Sequence, residues 1–215
     1  MSIKALIFDL DGTLLHTIED IGGAANRLLA KHDFPTHGTP DYLRWVGNGA
    51  TKFIERALPN SVKGEELLDL VTEFKDIYAT HLHERSYVYE GVNELLSELE
   101  LRGLPFAILS NKPHLLTRKV VAHYFPGVNF IEVYGQRNEV PHKPDPAAAL
   151  ELADLMGVEA ETVLFVGDSN TDILTARAAG MPVVAVNWGY GRLDTEGVQG
   201  DYPVVGSPAA ILEQL

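Results

Sequence analysis

Ala5-Leu6-Ile7-Phe8-Asp9-Leu10-Asp11-Gly12-Thr13-Leu14 decides the fold. Four apolar residues closed by an acid form the pattern of a buried strand, and Asp11-Gly12 marks the turn where it ends. Two carboxylates, Asp9 and Asp11, thus arrive together at a strand's carboxyl end, with Gly12 able to adopt the backbone that the turn needs. Further runs of strand length lie at Phe106 to Leu109, Val163 to Val166 and Val183 to Val186, bounded by Gly, Pro, Asp, Ser or Asn. Between the later ones run helical patterns at Val92 to Leu101, Leu115 to Tyr124, Ala147 to Met156 and Ile173 to Ala179. Gly103, Gly157 and Gly180 stand where such helices are capped. Strand alternating with helix predicts an α/β fold, a doubly wound parallel sheet of Rossmann-like form.

The stretch from Leu15 to Arg85 breaks this rhythm. Amphipathic patterns at Ile18 to Ala30, Tyr42 to Leu58 and Glu65 to His83 predict helices, and the stretch offers no convincing strand. It reads as a helical domain, residues 15–85, inserted into an α/β core made of residues 1–14 and 86–215. Open α/β sheets bind ligands beyond the carboxyl ends of their strands, so a domain inserted there sits over the site as a lid.

Composition narrows the chemistry. The 215 residues carry 17 basic and 30 acidic side chains, a formal charge of −13, which repels nucleic acids and anionic lipid. Nucleic-acid and membrane partners are therefore not expected. The absence of cysteine excludes disulfides, thiolate metal sites and cysteine nucleophiles, and a cytoplasmic setting is expected. The run from Met1 to Leu10 is too short and too interrupted by Asp9 to read as a signal peptide or a membrane span.

Three more strand ends or loops add to the two acids. Ser110-Asn111 places a hydroxyl and an amide where an oxyanion would arrive, although Ser-Asn is also ordinary turn chemistry. Lys143 lies in His142-Lys143-Pro144-Asp145-Pro146, a proline-stiffened entry to a helix. Gly167-Asp168-Ser169-Asn170-Thr171-Asp172 again follows an apolar strand. Asp172 has two open readings, a helix cap spaced as in a capping box from Ser169, or support of a metal site.

Together Asp9-Leu10-Asp11-Gly12-Thr13, Ser110, Lys143 and Asp168 resemble, in order, the four motifs of the haloacid dehalogenase-like hydrolase superfamily. The second Asp resembles the phosphatase and phosphomutase branches, and the inserted helices resemble their small cap domain. The resemblance implies a phosphatase that forms an aspartyl-phosphate on Asp9. Asp11 would be the acid and then the base, with Ser110 and Lys143 completing the catalytic set. Magnesium would be held by Asp9, Asp168 and the backbone carbonyl of Asp11, with Asp172 in support. A phosphate dianion meeting ionised Asp9 and Asp168 alone would pay roughly 4 kcal/mol per like charge at 4 Å, so a hard cation and Lys143 are needed for it to bind.

Trp45-Val46-Gly47-Asn48-Gly49-Ala50, followed by Glu55-Arg56-Ala57-Leu58, resembles the cap segment of bacterial phosphoglycolate phosphatases. On that likeness Gly47, Asn48 and Gly49, together with Asn111, would bind substrate, and 2-phosphoglycolate is the best candidate. Arg44 and Lys52 would either meet its carboxylate or remain in solvent. Trp188-Gly189-Tyr190-Gly191 resembles the same branch and is expected to form a loop near the entrance. Where many relatives have an apolar residue and Asp-Ser, this chain has Leu15-His16-Thr17, and His16 reads as a solvated linker residue. His81 and His83, two apart in an expected helix, would face different ways. The alternatives are a phosphomutase or another small-molecule phosphatase of the same mechanism, and, in a different class, a non-catalytic binding protein. Either a monomer or a homodimer is compatible with this reading.

Overall fold

A computed structural model describes residues 2–193 and 202–215. In chain order its elements are β1 (Ala5–Phe8), β2 (Leu15–His16), α1 (Ile18–Lys31), α2 (Thr39–Trp45), α3 (Gly49–Ala57) and α4 (Gly64–Ala79). There follow β3 (Tyr87–Val88), α5 (Val92–Leu101), β4 (Phe106–Pro113), α6 (His114–Tyr124), β5 (Val133–Gln136) and α7 (Ala147–Met156). The chain then runs through β6 (Val163–Gly167), α8 (Asn170–Ala178), β7 (Val183–Val186) and β8 (Val204–Val205).

Among the described residues six strands form one sheet in the order β5-β4-β1-β6-β7-β8, every pair parallel. All four residues of β1 are fully buried, because helices cover both faces. Leu6 and Phe8 join one apolar cluster with Leu95 and Leu99 of α5 and Val120 of α6. Ala5 and Ile7 join another with Ala149 and Leu152 of α7 and Ala176 of α8. The chain fills the sheet on one side of β1 with β4 and β5, then crosses to the other with β6, β7 and β8. The strand order therefore reverses at β1, and the crevice at such a point receives ligands.

Helices α1 to α4 lie between β2 and β3 in the chain and contribute nothing to the large sheet. They pack on one another through Leu28, Phe53 and Phe74, and α3 reaches the carboxyl end of β4. Two expectations for this stretch need correction. Leu15 and His16 do form a strand, pairing antiparallel with Val88 and Tyr87, so the two passages between helices and sheet are stitched together. Two residues give too short a run to register as a strand in sequence. The pattern from Tyr42 to Leu58 is two helices, broken by extended Val46 and by Gly47 at φ 108°. A buried carboxylate secures the same region: Asp20 of α1 accepts from Arg85 N at 2.8 Å, Ser86 N at 2.9 Å and Ser86 Oγ at 2.6 Å.

Strands β5 and β8 were not anticipated from the sequence either. Val133-Tyr134-Gly135-Gln136 has no apolar run, and Val204-Val205 pairs only because β7 offers an open edge. Among the described residues no helix is long and apolar enough to cross a membrane.

Candidate active site

The carboxyl ends of β1, β4 and β6 and the loop before α7 deliver Asp9, Ser110, Asp168 and Lys143 to one crevice, all buried. The crevice opens into a cavity of about 360 Å³ beneath the helical layer. Asp11 and Ser110 line its floor, and Ile21, Val46, Phe53, Phe74 and Tyr78 line its roof.

Lys143 organises the acids. Its Nζ donates to Asp9 Oδ1 at 2.8 Å and to Asp172 Oδ1 at 2.6 Å. The other oxygen of Asp172 accepts from Ser169 N at 3.1 Å and Ser169 Oγ at 2.6 Å, closing a capping box at the start of α8. The helix-cap reading of Asp172 is thus met by one oxygen, while the other is held by Lys143. Carboxylate oxygens of Asp9, Asp168 and Asp172 lie within 4.8 Å of one another.

Asp168 occupies a cradle of backbone. Its Oδ2 accepts from Tyr190 N at 3.1 Å and Gly191 N at 2.7 Å. A Cβ at Gly189 would stand 2.4 Å from that oxygen, so glycine is required there for the loop to close on the acid. The Trp188 to Gly191 segment thus reaches into the site, and Trp188 Nε1 ties it to Thr13 O at 3.0 Å.

Electrostatics set what this arrangement can hold. Burial pushes the Asp9 carboxyl up to about 7, opposed by Lys143 and aided by the Asp172 charge. Burial, then Asp9 and Asp172, hold Asp168 well above the ordinary carboxylate range against the Gly191 N–H and Lys143. Repulsion among three clustered acids, with oxygen the only donor, fits a hard divalent cation such as magnesium.

Asp11 stands apart from that cluster and has its own partners. Thr17 Oγ1 donates to its Oδ1 at 2.6 Å, and Tyr190 OH lies 2.8 Å from the same hydroxyl. Lys112 Nζ donates to both Asp11 oxygens, at 2.9 and 3.1 Å, and to Tyr78 OH at 2.7 Å. Burial works against the Lys112 charge, but Asp11 and Tyr78 outweigh it and hold the ammonium above its usual range. Sequence reasoning missed Lys112 and Tyr78 and gave Thr17 no role, while Tyr190 lies in the loop it expected near the entrance. Lys112 follows Asn111 directly, so its nearness to the strand end was the available signal; Tyr78 offered none, since its place depends on how α4 docks.

Ser110 Oγ accepts from Lys112 N at 3.2 Å at the floor of the cavity. Asn111 Nδ2 donates to Gly47 O and Lys143 O, both at 3.0 Å, while its Oδ1 accepts from Lys143 N at 2.9 Å. It thereby joins the sheet to the turn of Gly47 and Asn48 that leads into α3 at Gly49, all three at the cavity wall. Arg44 pairs with Asp41 and Lys52 with Glu55, both at the surface, while Arg56 Nη1 holds the turn through Trp45 O and Asn48 Oδ1. His16 is not a solvated linker residue. It stacks on Tyr87 with ring centres 4.8 Å apart and meets Tyr89 and Tyr190 edge-on. His81 and His83 lie beyond the end of α4, not within it, and His83 stacks on His123.

The structure thus sets a cluster of buried acids at the switch point of an α/β sheet, beneath a helical layer. The model of the family described as haloacid dehalogenase-like hydrolase matches residues 6–186. A phosphoglycolate phosphatase of Pseudomonas syringae pv. tomato is 36% identical over 192 residues, covering 87% of this chain and 70% of that protein. One from Rhodospirillum rubrum is 37% identical over 196 residues, covering 88% and 81%. The crystal structure of a predicted phosphoglycolate phosphatase from Haemophilus somnus superposes with a TM-score of 0.89 at 27% identity, covering 100% of this chain and 98% of that one. The chain belongs to the haloacid dehalogenase-like hydrolase family. Within that family it is a phosphatase, a phosphoric monoester hydrolase.

Proposed function

We propose that this phosphatase is magnesium-dependent and acts on a small phosphorylated metabolite, with 2-phosphoglycolate the best candidate. The observation that carries this reading is the contact of Lys143 with Asp9 beside the Asp168 and Asp172 carboxylates. Residues 15–85 act as a cap over a core of residues 1–14 and 86–215. Names of the relatives and the sequence likeness of Trp45 to Ala50 to their cap segment support the choice of substrate.

Asp9 attacks phosphorus, and the bond to the leaving oxygen breaks as Asp11 gives that oxygen its proton. Water then attacks the aspartyl-phosphate, with Asp11 accepting a proton, and inorganic phosphate departs. Lys143 neutralises Asp9 and orients it, while Ser110 and nearby amides bind the phosphoryl oxygens. Asp9, Asp168 and Asp172, with the Asp11 backbone, would hold magnesium, which supplies charge neutralisation for the dianion.

The test is phosphate release by wild type and Asp9→Asn across a panel of phosphorylated metabolites, 2-phosphoglycolate included, with magnesium and with chelator. Magnesium-dependent release, fastest with 2-phosphoglycolate and abolished by Asp9→Asn, is expected. Faster turnover of another ester would replace the substrate assignment. Failure of folded, magnesium-loaded protein to release phosphate from any member would remove the phosphatase reading.

A further inference from the structure

Asp11 must hold its carboxyl within hydrogen-bond reach of the leaving oxygen, yet it lies past the end of β1, with only an isolated bridge to Leu15. Its placement comes from other residues. Lys112, buried at the end of β4, spans both carboxylate oxygens, and Tyr78 on α4 accepts a third hydrogen bond from the same Nζ. The ammonium has three donors, and these contacts use all three. Tyr78 is itself buried, wedged by Phe74 stacking at 5.9 Å, and it arrives at Lys112 only because α4 is seated over the sheet.

We propose that Lys112 and Tyr78 are positioning residues which aim Asp11 at the leaving oxygen and make its placement depend on the helical layer being seated. The proposal rests on the phosphatase reading above. A seated α4 presents Tyr78, which fixes Lys112 Nζ between the phenol and Asp11; Thr17 then fixes the remaining rotation of the carboxyl. A lifted α4 removes the Tyr78 contact, and Lys112 loses the partner that holds it in line. Proton delivery to the leaving group is thereby confined to the state in which the cavity is covered.

The position of a proton donor matters most when the leaving group needs a proton. Alkyl phosphates such as 2-phosphoglycolate require one, whereas p-nitrophenyl phosphate expels a stable anion and does not. Steady-state kinetics of Lys112→Met, Lys112→Arg and Tyr78→Phe are therefore compared on p-nitrophenyl phosphate and on the alkyl ester that wild type hydrolyses fastest. Thermal melts of each variant, and Asp9→Asn as the nucleophile control, accompany them. Lys112→Met is expected to lower kcat for the alkyl ester about 100-fold with little change in KM, and to lower it less than about fivefold for p-nitrophenyl phosphate. Lys112→Arg should recover about tenfold of the alkyl loss, because the guanidinium can again span both oxygens. Tyr78→Phe should show the same selectivity at about tenfold.

Equal losses on both esters, in variants that melt like wild type, would overturn the proposal and leave Lys112 a structural residue. Unfolding of Lys112→Met leaves Tyr78→Phe to decide, and a Tyr78→Phe variant with no ester selectivity overturns the coupling. Undiminished turnover in Asp9→Asn would sink the phosphatase mechanism first, and the proposal with it.

Discussion

Gly12 lies so close to Asp168 that a Cβ at Gly12 would stand 1.9 Å from Asp168 Oδ2, and its φ of 94° lies where side chains are disfavoured. The turn after β1 and the acid after β6 are thus fitted to each other through the missing side chain. Gly12→Ala must move one of them. We expect it to fold with a loss of about 1–3 kcal/mol and to lose at least about 100-fold in phosphatase kcat. Denaturant melts alongside kinetics check this, and an active, unshifted variant would show that the fit is not required.

Asp9 carries a pH dependence whose sign follows from its environment. Its carboxyl rises from 3.8 to about 7 in the folded protein, so between those values the native state keeps a proton that the unfolded chain has released. Stability of the metal-free protein should therefore fall as pH rises from about 4 to 7. Asp9→Asn imitates the protonated acid and should raise the metal-free Tm at pH 8 by about 3–8 °C. Magnesium should stabilise wild type at that pH and the variant much less. Calorimetry across pH reads both effects.

His16 titrates in the opposite sense. Burial lowers its pKa below 6.5, partly offset by Glu19, so the unfolded chain binds the proton first as pH falls. Its Nδ1 is also buried without a partner, which makes a charged ring still less welcome between the tyrosines. Stability contributed here is present above about pH 6.5 and lost below it. His16→Phe keeps the stacking and should flatten the acid limb of a Tm–pH curve, whereas an unchanged limb would show that the loss arises elsewhere.

Asn111 joins Gly47 to Lys143, so Asn111→Ala should loosen the α2–α3 turn and the lysine together. A rise in KM of about tenfold with a smaller fall in kcat is the expected kinetic signature. Protease sensitivity of residues 45–49 should rise in parallel.

Much of this was legible in the chain because it is local. Asp9, Ser110 and Asp168 each follow an apolar run, and a buried strand carries its next residue to a predictable end of the sheet. Gly103, Gly157 and Gly180 all have positive φ at the ends of α5, α7 and α8, as their spacing from the helices implied. Elements of two residues escaped, since β2 and β3 exist only through pairing with each other. Tyr78 and Lys112 meet across 34 positions, and nothing in either neighbourhood announces it. His16 was misread for the same reason, its three tyrosines coming from β3, the residue just after it and the loop after β7.

The most direct test of the mechanism is to quench the enzyme during turnover, reduce any acyl phosphate with borohydride and map the product by mass spectrometry. Conversion of Asp9 to homoserine, dependent on substrate and missing in Asp9→Asn, is the predicted result. Modification at another residue, or none while phosphate is being released, would contradict an aspartyl-phosphate on Asp9.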